Sequence, residues 1–471
     1  MRNPCAGTVT VRELDRGLTP QAAFHALCAR PYAFFLDSGL VSERMGRYSY
    51  LGAEPFLVIQ SKRRRIRLLR RGQPAEESEG NPFQQLRALL RRYSIRPEKS
   101  CVPFFGGAVG YFGYDLCHFV ERLPQTTLDD IGLPDMHFAF HDIVVAFDHL
   151  EGRCYAVAVD VGETEGESLE RRLERIVDMV SRSGETPGPT AVTRSGSEPV
   201  ANFTKDEYLA AVQRAKDYIA AGDIFQVNLS QRFQATTSLK PHELYTRLRT
   251  VNPAPFACYQ DLGDGMAVVS ASPELFLRVR GRHVVTRPIK GTRRRGPTET
   301  EDAQLREELL RSPKDDAELT MIIDLERNDL GRVCGYGTVR VTERKALETF
   351  PTVHHLVGTV EGTLHDRYDL IDLIKATFPG GSITGAPKIR AMEIIDELEP
   401  TKRSVYTGAI GCLGFNGNAD LNIAIRTFLV NGQNLYFQVG GGIVADSELE
   451  AEYDETIHKA RGLFASLGIR R

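Results

Sequence analysis

Between Ser183 and Pro199 the apolar periodicity of the chain vanishes and Gly, Pro and Ser take its place: Ser183-Gly184-Glu185-Thr186-Pro187-Gly188-Pro189, then Arg194-Ser195-Gly196-Ser197-Glu198-Pro199. Such a stretch has little apolar surface to bury and reads as a linker loop. It divides the 471 residues into an N-terminal region, 1–182, and a second region, 202–471, joined by residues 183–201. At 42% hydrophobic residues, the chain is long enough to bury a large core. The first region mixes β-type runs (Ile143-Val144-Val145-Ala146-Phe147, Tyr155-Ala156-Val157-Ala158-Val159) with polar helical stretches such as residues 167–182, and no chemical constellation stands out there.

Charge and cysteine usage exclude several function classes. The net charge of −3 supplies no field to draw in nucleic acid or an anionic membrane. The basic run Lys62 to Arg65, with Arg67, Arg70 and Arg71, is interleaved with Ile66, Leu68 and Leu69 ahead of Gly72-Gln73-Pro74, as a half-exposed hairpin requires. The eight cysteines are scattered, without C-x-x-C pairs or zinc-site histidines, and read as buried free thiols. No apolar run approaches the roughly 20 residues that span a bilayer, and the N-terminus lacks a signal-peptide core. These features predict a protein of the reducing cytoplasm that binds neither nucleic acid nor membrane.

The second region carries the informative patterns. Ser312-Pro313 reads as an N-cap followed by proline at the first helical position, with Leu319, Ile322 and Ile323 as the apolar stripe before Gly331. A second helix is expected after Pro387, with Ile389, Met392, Ile395 and Leu398 on its apolar face. A last helix is expected from Asp446-Ser447, with Leu449, Tyr453, Ile457, Ala460 and Phe464 as its stripe. The first of these helices carries Asp315 and Glu318, the last Glu452 and Glu455, each pair on one face. Taken singly, such a pair is more commonly a solvated helix face. If the two helices face each other, the carboxylates suit Mg²⁺, which takes oxygen ligands and typically combines one or two carboxylates with substrate oxygens. The glycine-rich turn from Pro379 to Ala386, ahead of a helix, offers backbone N–H groups and the Ser382 and Thr384 hydroxyls to an anion.

These segments together resemble the chorismate-utilising enzymes: Ser270-Ala271-Ser272-Pro273-Glu274-Leu275-Phe276, Arg287-Pro288-Ile289-Lys290-Gly291-Thr292, Lys314-Asp315 to Glu318, Asp324-Leu325-Glu326-Arg327-Asn328-Asp329-Leu330-Gly331-Arg332, Pro379 to Lys388 and Glu452-Tyr453-Asp454-Glu455-Thr456. The resemblance covers about residues 202–467, and Gly106 to Asp115 is similar to the amidotransferase-coupled members. It implies an α+β fold of two large, mostly antiparallel sheets packed as a sandwich, with outer helices and the active site in the cleft between them. The linker then separates sequence halves rather than independent domains.

By the same resemblance, Glu318 and Glu455 coordinate Mg²⁺, and Glu452 and Asp315 act through its waters. Tyr406, Arg426, Lys459 and the backbone of Gly440, Gly441 and Gly442 fall where the family contacts the substrate's carboxylates. His355 matches an active-site histidine, and Glu274 the general acid that protonates the C4 hydroxyl of chorismate. Leu36-Asp37-Ser38 loosely resembles the segment with which some members bind tryptophan.

The members differ in what attacks C2. Isochorismate and salicylate synthases use a lysine to activate water where this chain has Gln226. Anthranilate synthases usually read Pro-Ile-Ala-Gly-Thr where this chain reads Pro288-Ile289-Lys290-Gly291-Thr292, and the lysine marks aminodeoxychorismate synthases. The resemblance thus implies that Lys290 is a nucleophile, and that ammonia becomes the para amino group of 4-amino-4-deoxychorismate on the way to 4-aminobenzoate and folate. No cysteine lies in a Gly-x-Cys-x-Gly context, so the ammonia is expected from a separate glutamine amidotransferase subunit.

Overall fold

A computed structural model of the chain describes residues 8–40, 45–95, 101–163, 167–182, 184, 193–350 and 353–469. Its β-type runs are buried on both sides, which is why they read as unbroken apolar stretches. Successive strand residues point to opposite faces. In Ile143–Asp148, Val144 and Ala146 join the core between the sheets, while Ile143, Val145 and Phe147 join a second core beneath the helices. Phe34 and Phe35 divide in the same way.

The described strands form two 12-stranded antiparallel sheets, as the family resemblance implies, and both sheets draw on both sequence halves. In the first sheet, Phe34–Asp37 pairs with Phe256–Gly263, with Leu36 opposite Cys258. In the second, Gly107–Phe112 pairs with Ala409–Gly414, with Val109 opposite Cys412. The basic run is indeed hairpin: Leu57–Lys62 turns at Arg63, with φ of 52°, into Arg65–Arg70, which turns again into Glu76–Glu79. Residues 183 and 185–192 of the linker lie outside the described residues. No described helix is long and apolar enough to cross a membrane. Of the described cysteines all are free; Cys101 is exposed, the others buried.

Three helices position the site. Pro313–Gly331 starts where the sequence puts it: the Ser312 hydroxyl accepts from Asp315 N–H and proline occupies the first turn. It packs hard against Val353–Thr363, where a Cβ on Gly358 would stand 2.6 Å from Ile323 Cδ1. Lys388–Leu398 follows Pro387, but its apolar face is rotated from the expected one. Ala391, Ile394, Ile395 and Leu398 enter one core and Met392 another, whereas Ile389 in the first turn is 46% exposed. The last helix spans Leu449–Ser466, beginning after Asp446-Ser447 because Ser447 is used otherwise: its hydroxyl accepts from Val444 N–H and donates to Glu452 Oε1.

Candidate active site

The site residues come from both sheets and from two of these helices. Lys290 and Gly291 fall where Ile289–Arg294 slips register against Val353–Thr363 between Ile289 and Thr292. Such irregularities re-aim side chains. Gly291 is required there: its φ is +81°, and a Cβ would lie 3.0 Å from the Asp315 side chain. The Lys290 amine has no hydrogen bond or ion pair among the described residues. Burial lowers its pKa, Lys459 lowers it further, and Glu318, Glu274 and Glu455 oppose both. The arginines close in sequence are each paired with carboxylates. Arg293 pairs with Glu308 and Asp315, Arg294 with Glu301, Arg295 with Asp302, and Arg287 with Glu343 and Glu348.

Lys290 faces the glycine run of Asn434–Ile443. A Cβ on Gly442 would stand 2.1 Å from Gln226 Nε2 and 3.4 Å from Lys290 Nζ. A Cβ on Gly441 would meet Glu452 Oε2 at 3.0 Å and Glu455 Oε1 at 3.4 Å, and on Gly440 it would meet Asn228 Oδ1 at 2.9 Å. The glycines therefore leave room along one wall for the lysine, two carboxylates and two amides.

Glu274 follows the strand Met266–Ser272 and is 5% exposed. Its Oε1 accepts from the Ser382 hydroxyl at 2.6 Å. Burial raises its pKa; Ser382, Lys290, a backbone N–H and Lys459 moderate the rise. The carboxyl thus holds its proton above the usual range, the state a general acid needs.

Glu318 has no hydrogen-bond or ion-pair partner among the described residues, and burial raises its pKa. Burial also raises that of Glu452. Glu455 is lowered on balance: burial is outweighed by Lys459, whose Nζ stands 2.6 Å from Glu455 Oε1 and donates to Gly440 O. Arg426 has an unpaired guanidinium among the described residues and a backbone φ of 51°. His355 donates to or accepts from Thr292 Oγ1 through Nδ1, while its buried Nε2 lacks a partner among the described residues. Burial and then Arg426 lower its pKa to about 3, so the imidazole is neutral. Tyr406 is buried with the Arg403 guanidinium 5.8 Å from its ring centroid.

Some expected roles meet different geometry. Thr384 is fully buried and donates to Gly380 O, closing its own turn. The Ser382 hydroxyl is committed to Glu274. Asp315 is committed to Arg293, with Nη2 3.1 Å from its Oδ2. The sequence reading missed two groups, Asn228 and the Arg403–Glu399 pair, and gave Gln226 only as the position where some relatives carry a lysine. Among the described residues Asn228 Oδ1 and Gln226 Oε1 are buried acceptors without partners, and the buried Arg403–Glu399 pair lies beside Tyr406. The alternation of Gln226 and Asn228 along one strand, opposite the glycines, is the signal that would have found the amides.

The sequence profile described as chorismate binding enzyme matches residues 37–465. The chain belongs to the chorismate-binding enzymes. It is 43% identical over 455 residues to anthranilate synthase component 1 of Thermus thermophilus, covering 95% of each chain. It is 40% identical over 427 residues to aminodeoxychorismate synthase component 1 of Bacillus subtilis, covering 89% of each. The crystal structure of anthranilate synthase component I from Streptococcus pneumoniae TIGR4 superposes with a TM-score of 0.77 at 35% identity, covering 91% of this chain and 94% of that one.

As a chorismate-binding enzyme the protein acts on an anionic substrate. The Arg426 guanidinium, unpaired among the described residues, has the fork geometry that suits a carboxylate. The glutamates suit a divalent cation completed by substrate. Among the described residues no three carboxylate, thiol or imidazole groups close on one point. The free Glu318, facing Glu455 electrostatically, and the Glu452 and Glu455 oxygens over Gly441 instead fit a cation with few protein ligands. A separate cavity of about 280 Å³ lies away from this chemistry, lined by Leu36, Asp37, Tyr50, Pro255, Arg278 and Asp420 among others.

Proposed function

We propose that this chain is the synthase component of aminodeoxychorismate synthase, converting chorismate and ammonia to 4-amino-4-deoxychorismate. The observation that carries the reading is Lys290: a lysine with no partner among the described residues, enclosed between Glu318, Glu274 and Gly442 and held toward its neutral form by burial and Lys459. A neutral amine is the nucleophile that para amination needs. Its lone pair forms a bond to C2, the ring double bond shifts, and the C4–O bond breaks as Glu274 gives its proton to the departing hydroxyl, which leaves as water. Ammonia then bonds to C4, the double bond shifts back, and the C2–N bond breaks, returning the electron pair to Lys290. Attack of ammonia at C2 itself gives the ortho product instead.

In this reading Arg426 and the backbone at Gly440–Gly442 orient the carboxylates of chorismate, and Glu318, Glu455 and Glu452 hold Mg²⁺. The metal, when bound, neutralises the ring carboxylate and so favours loss of the hydroxyl. Its binding has a readout apart from turnover: Mg²⁺ with chorismate raises the melting temperature of the native chain but not of Glu318→Gln. The ammonia comes from a separate glutaminase subunit.

The second reading is anthranilate synthase component I. It is favoured by relatives of that name at 43% identity, against 40% for the aminodeoxychorismate synthase. Product analysis decides: chorismate, Mg²⁺ and excess ammonium at mildly alkaline pH, with mass spectrometry of the products. Aminodeoxychorismate, lost in Lys290→Ala, supports the first reading; anthranilate and pyruvate support the second.

A further inference from the structure

Arg403 is 2% exposed, and every N–H of its guanidinium is used. Nε donates to Glu399 Oε2 at 2.9 Å and Nη2 to Glu399 Oε1 at 2.7 Å. Nη2 also donates to Asn228 O at 2.7 Å, and Nη1 to Ile383 O at 3.0 Å and to Thr407 Oγ1 at 3.3 Å. Its Cζ lies 4.9 Å from the ring centroid of Tyr114 and 5.8 Å from that of Tyr406. Glu399 Oε1 further accepts from Ser230 N–H and its hydroxyl.

Each contact ends beside a group that the site uses. Ile383 adjoins Ser382, whose hydroxyl holds Glu274. Thr407 adjoins Tyr406, and its φ of 59° is a left-handed conformation that the surroundings must enforce. Asn228 carries the unpartnered Oδ1 over Gly440, and its N–H donates to Thr384 O at the other end of the same turn. A buried ion pair contributes little net stability, since desolvation offsets the attraction, but it fixes geometry when fully hydrogen-bonded.

We propose that Arg403 is a positioning residue for catalysis: its saturated fork sets the Ile383–Ser382 turn, and through it the Ser382–Glu274 hydrogen bond, together with the Tyr406 ring. This rests on the reading of Glu274 as general acid and is independent of which amination product forms. Lysine at 403 keeps the charge beside Glu399 but cannot reach Ile383, Asn228 and Thr407 together. The turn then relaxes and Ser382 withdraws from the carboxylate. A hydrogen bond to the charged form lowers a carboxyl's pKa, so its loss raises that of Glu274.

The test is the pH dependence of kcat/KM in the full-length chain for Ser382→Ala, Arg403→Lys and the double variant. Ser382→Ala identifies the limb that Glu274 sets by moving it to higher pH. Arg403→Lys is expected to move the same limb in the same direction and to lower kcat by about tenfold to a hundredfold, the cost of a misplacement near 1 Å. In the double variant the two shifts do not add. A folded Arg403→Lys whose limb stays in place while Ser382→Ala moves it overturns the proposal, as does full additivity. If Arg403→Lys does not fold, Glu399→Gln, which keeps the side-chain volume but loosens the fork, takes its place: a limb moved to higher pH supports the proposal, and a limb that stays in place overturns it. A limb unmoved by Ser382→Ala overturns instead the reading of Glu274, and the proposal falls with it.

Discussion

Lys290 and Gly442 approach so closely that a methyl group on residue 442 would stand 3.4 Å from Lys290 Nζ and 2.1 Å from Gln226 Nε2. Both atoms end flexible side chains, so Gly442→Ala displaces them without breaking the backbone pairing of Gly442 with Asn228. The fold therefore survives and the nucleophile moves. We expect Gly442→Ala to keep its urea midpoint while kcat falls at least about tenfold, as misplacement of a reacting group requires. An unchanged kcat would remove Lys290 from the reaction centre.

Activity in the proposed mechanism needs Glu274 protonated and Lys290 neutral, so kcat/KM against pH is bell-shaped. Lys459 lowers both pKa values, because its ammonium favours the carboxylate at Glu274 and disfavours a second cation at Lys290. Replacing Lys459 with Gln removes that cation. Both limbs are then expected to move to higher pH, whereas Ser382→Ala moves one. A pH profile measured at saturating Mg²⁺ checks this, and a bell that stays in place in Lys459→Gln contradicts it.

Much of this site was legible in the sequence, and the part that was not has a common cause. Ser312-Pro313 marked a helix start because capping is local chemistry, and Lys290 and Glu274 stood in motifs that survive as contiguous strings. What lay across the fold was hidden. The cation that depresses Lys290 is Lys459, brought from the last helix, rather than the arginines beside it in sequence, which all find carboxylates of their own. Asp315 looked identical to Glu318 in spacing, yet Arg293 claims the first and nothing described claims the second. Ile389 was misplaced because periodicity gives spacing but not the rotation of a short helix against its core. The mixing of both halves in each sheet depends on pairings such as Leu36 with Cys258, far apart in the chain.

Glu326 supplies a test of burial. It is 2% exposed, one oxygen accepts from Gly381 N–H and the other has no partner among the described residues. Burial, then Asp329, raise its pKa to about 8 from an ordinary 4.5. A carboxyl raised in the folded state binds its proton more tightly there than in the unfolded chain, so it draws stability away as pH climbs from about 4.5 to about 8. Glu326→Gln removes that loss. Relative to the native chain, the variant is expected to gain about 1–3 kcal/mol between pH 5 and pH 9 in urea titrations, the scale of an unsatisfied buried polar group. A difference that does not change with pH would mean that Glu326 titrates normally.

Arg426 combines a guanidinium unpaired among the described residues with a strained backbone, and the two can be separated. Burial lowers its pKa, and its φ of 51° places a branched-off side chain where glycine is at ease. If the strain is kept because the guanidinium receives a carboxylate of chorismate, both Arg426→Ala and Arg426→Gly should raise KM by about tenfold or more, the loss of a charge-assisted hydrogen bond pair. Their stabilities should differ. Alanine retains the unfavourable φ, whereas glycine relieves it, so the glycine variant is expected to be more stable than the alanine variant by about 1 kcal/mol. Calorimetry and substrate titration on the two proteins measure both effects. Equal stability would mean that the turn relaxes by itself, and an unchanged KM would remove Arg426 from the substrate's receptor.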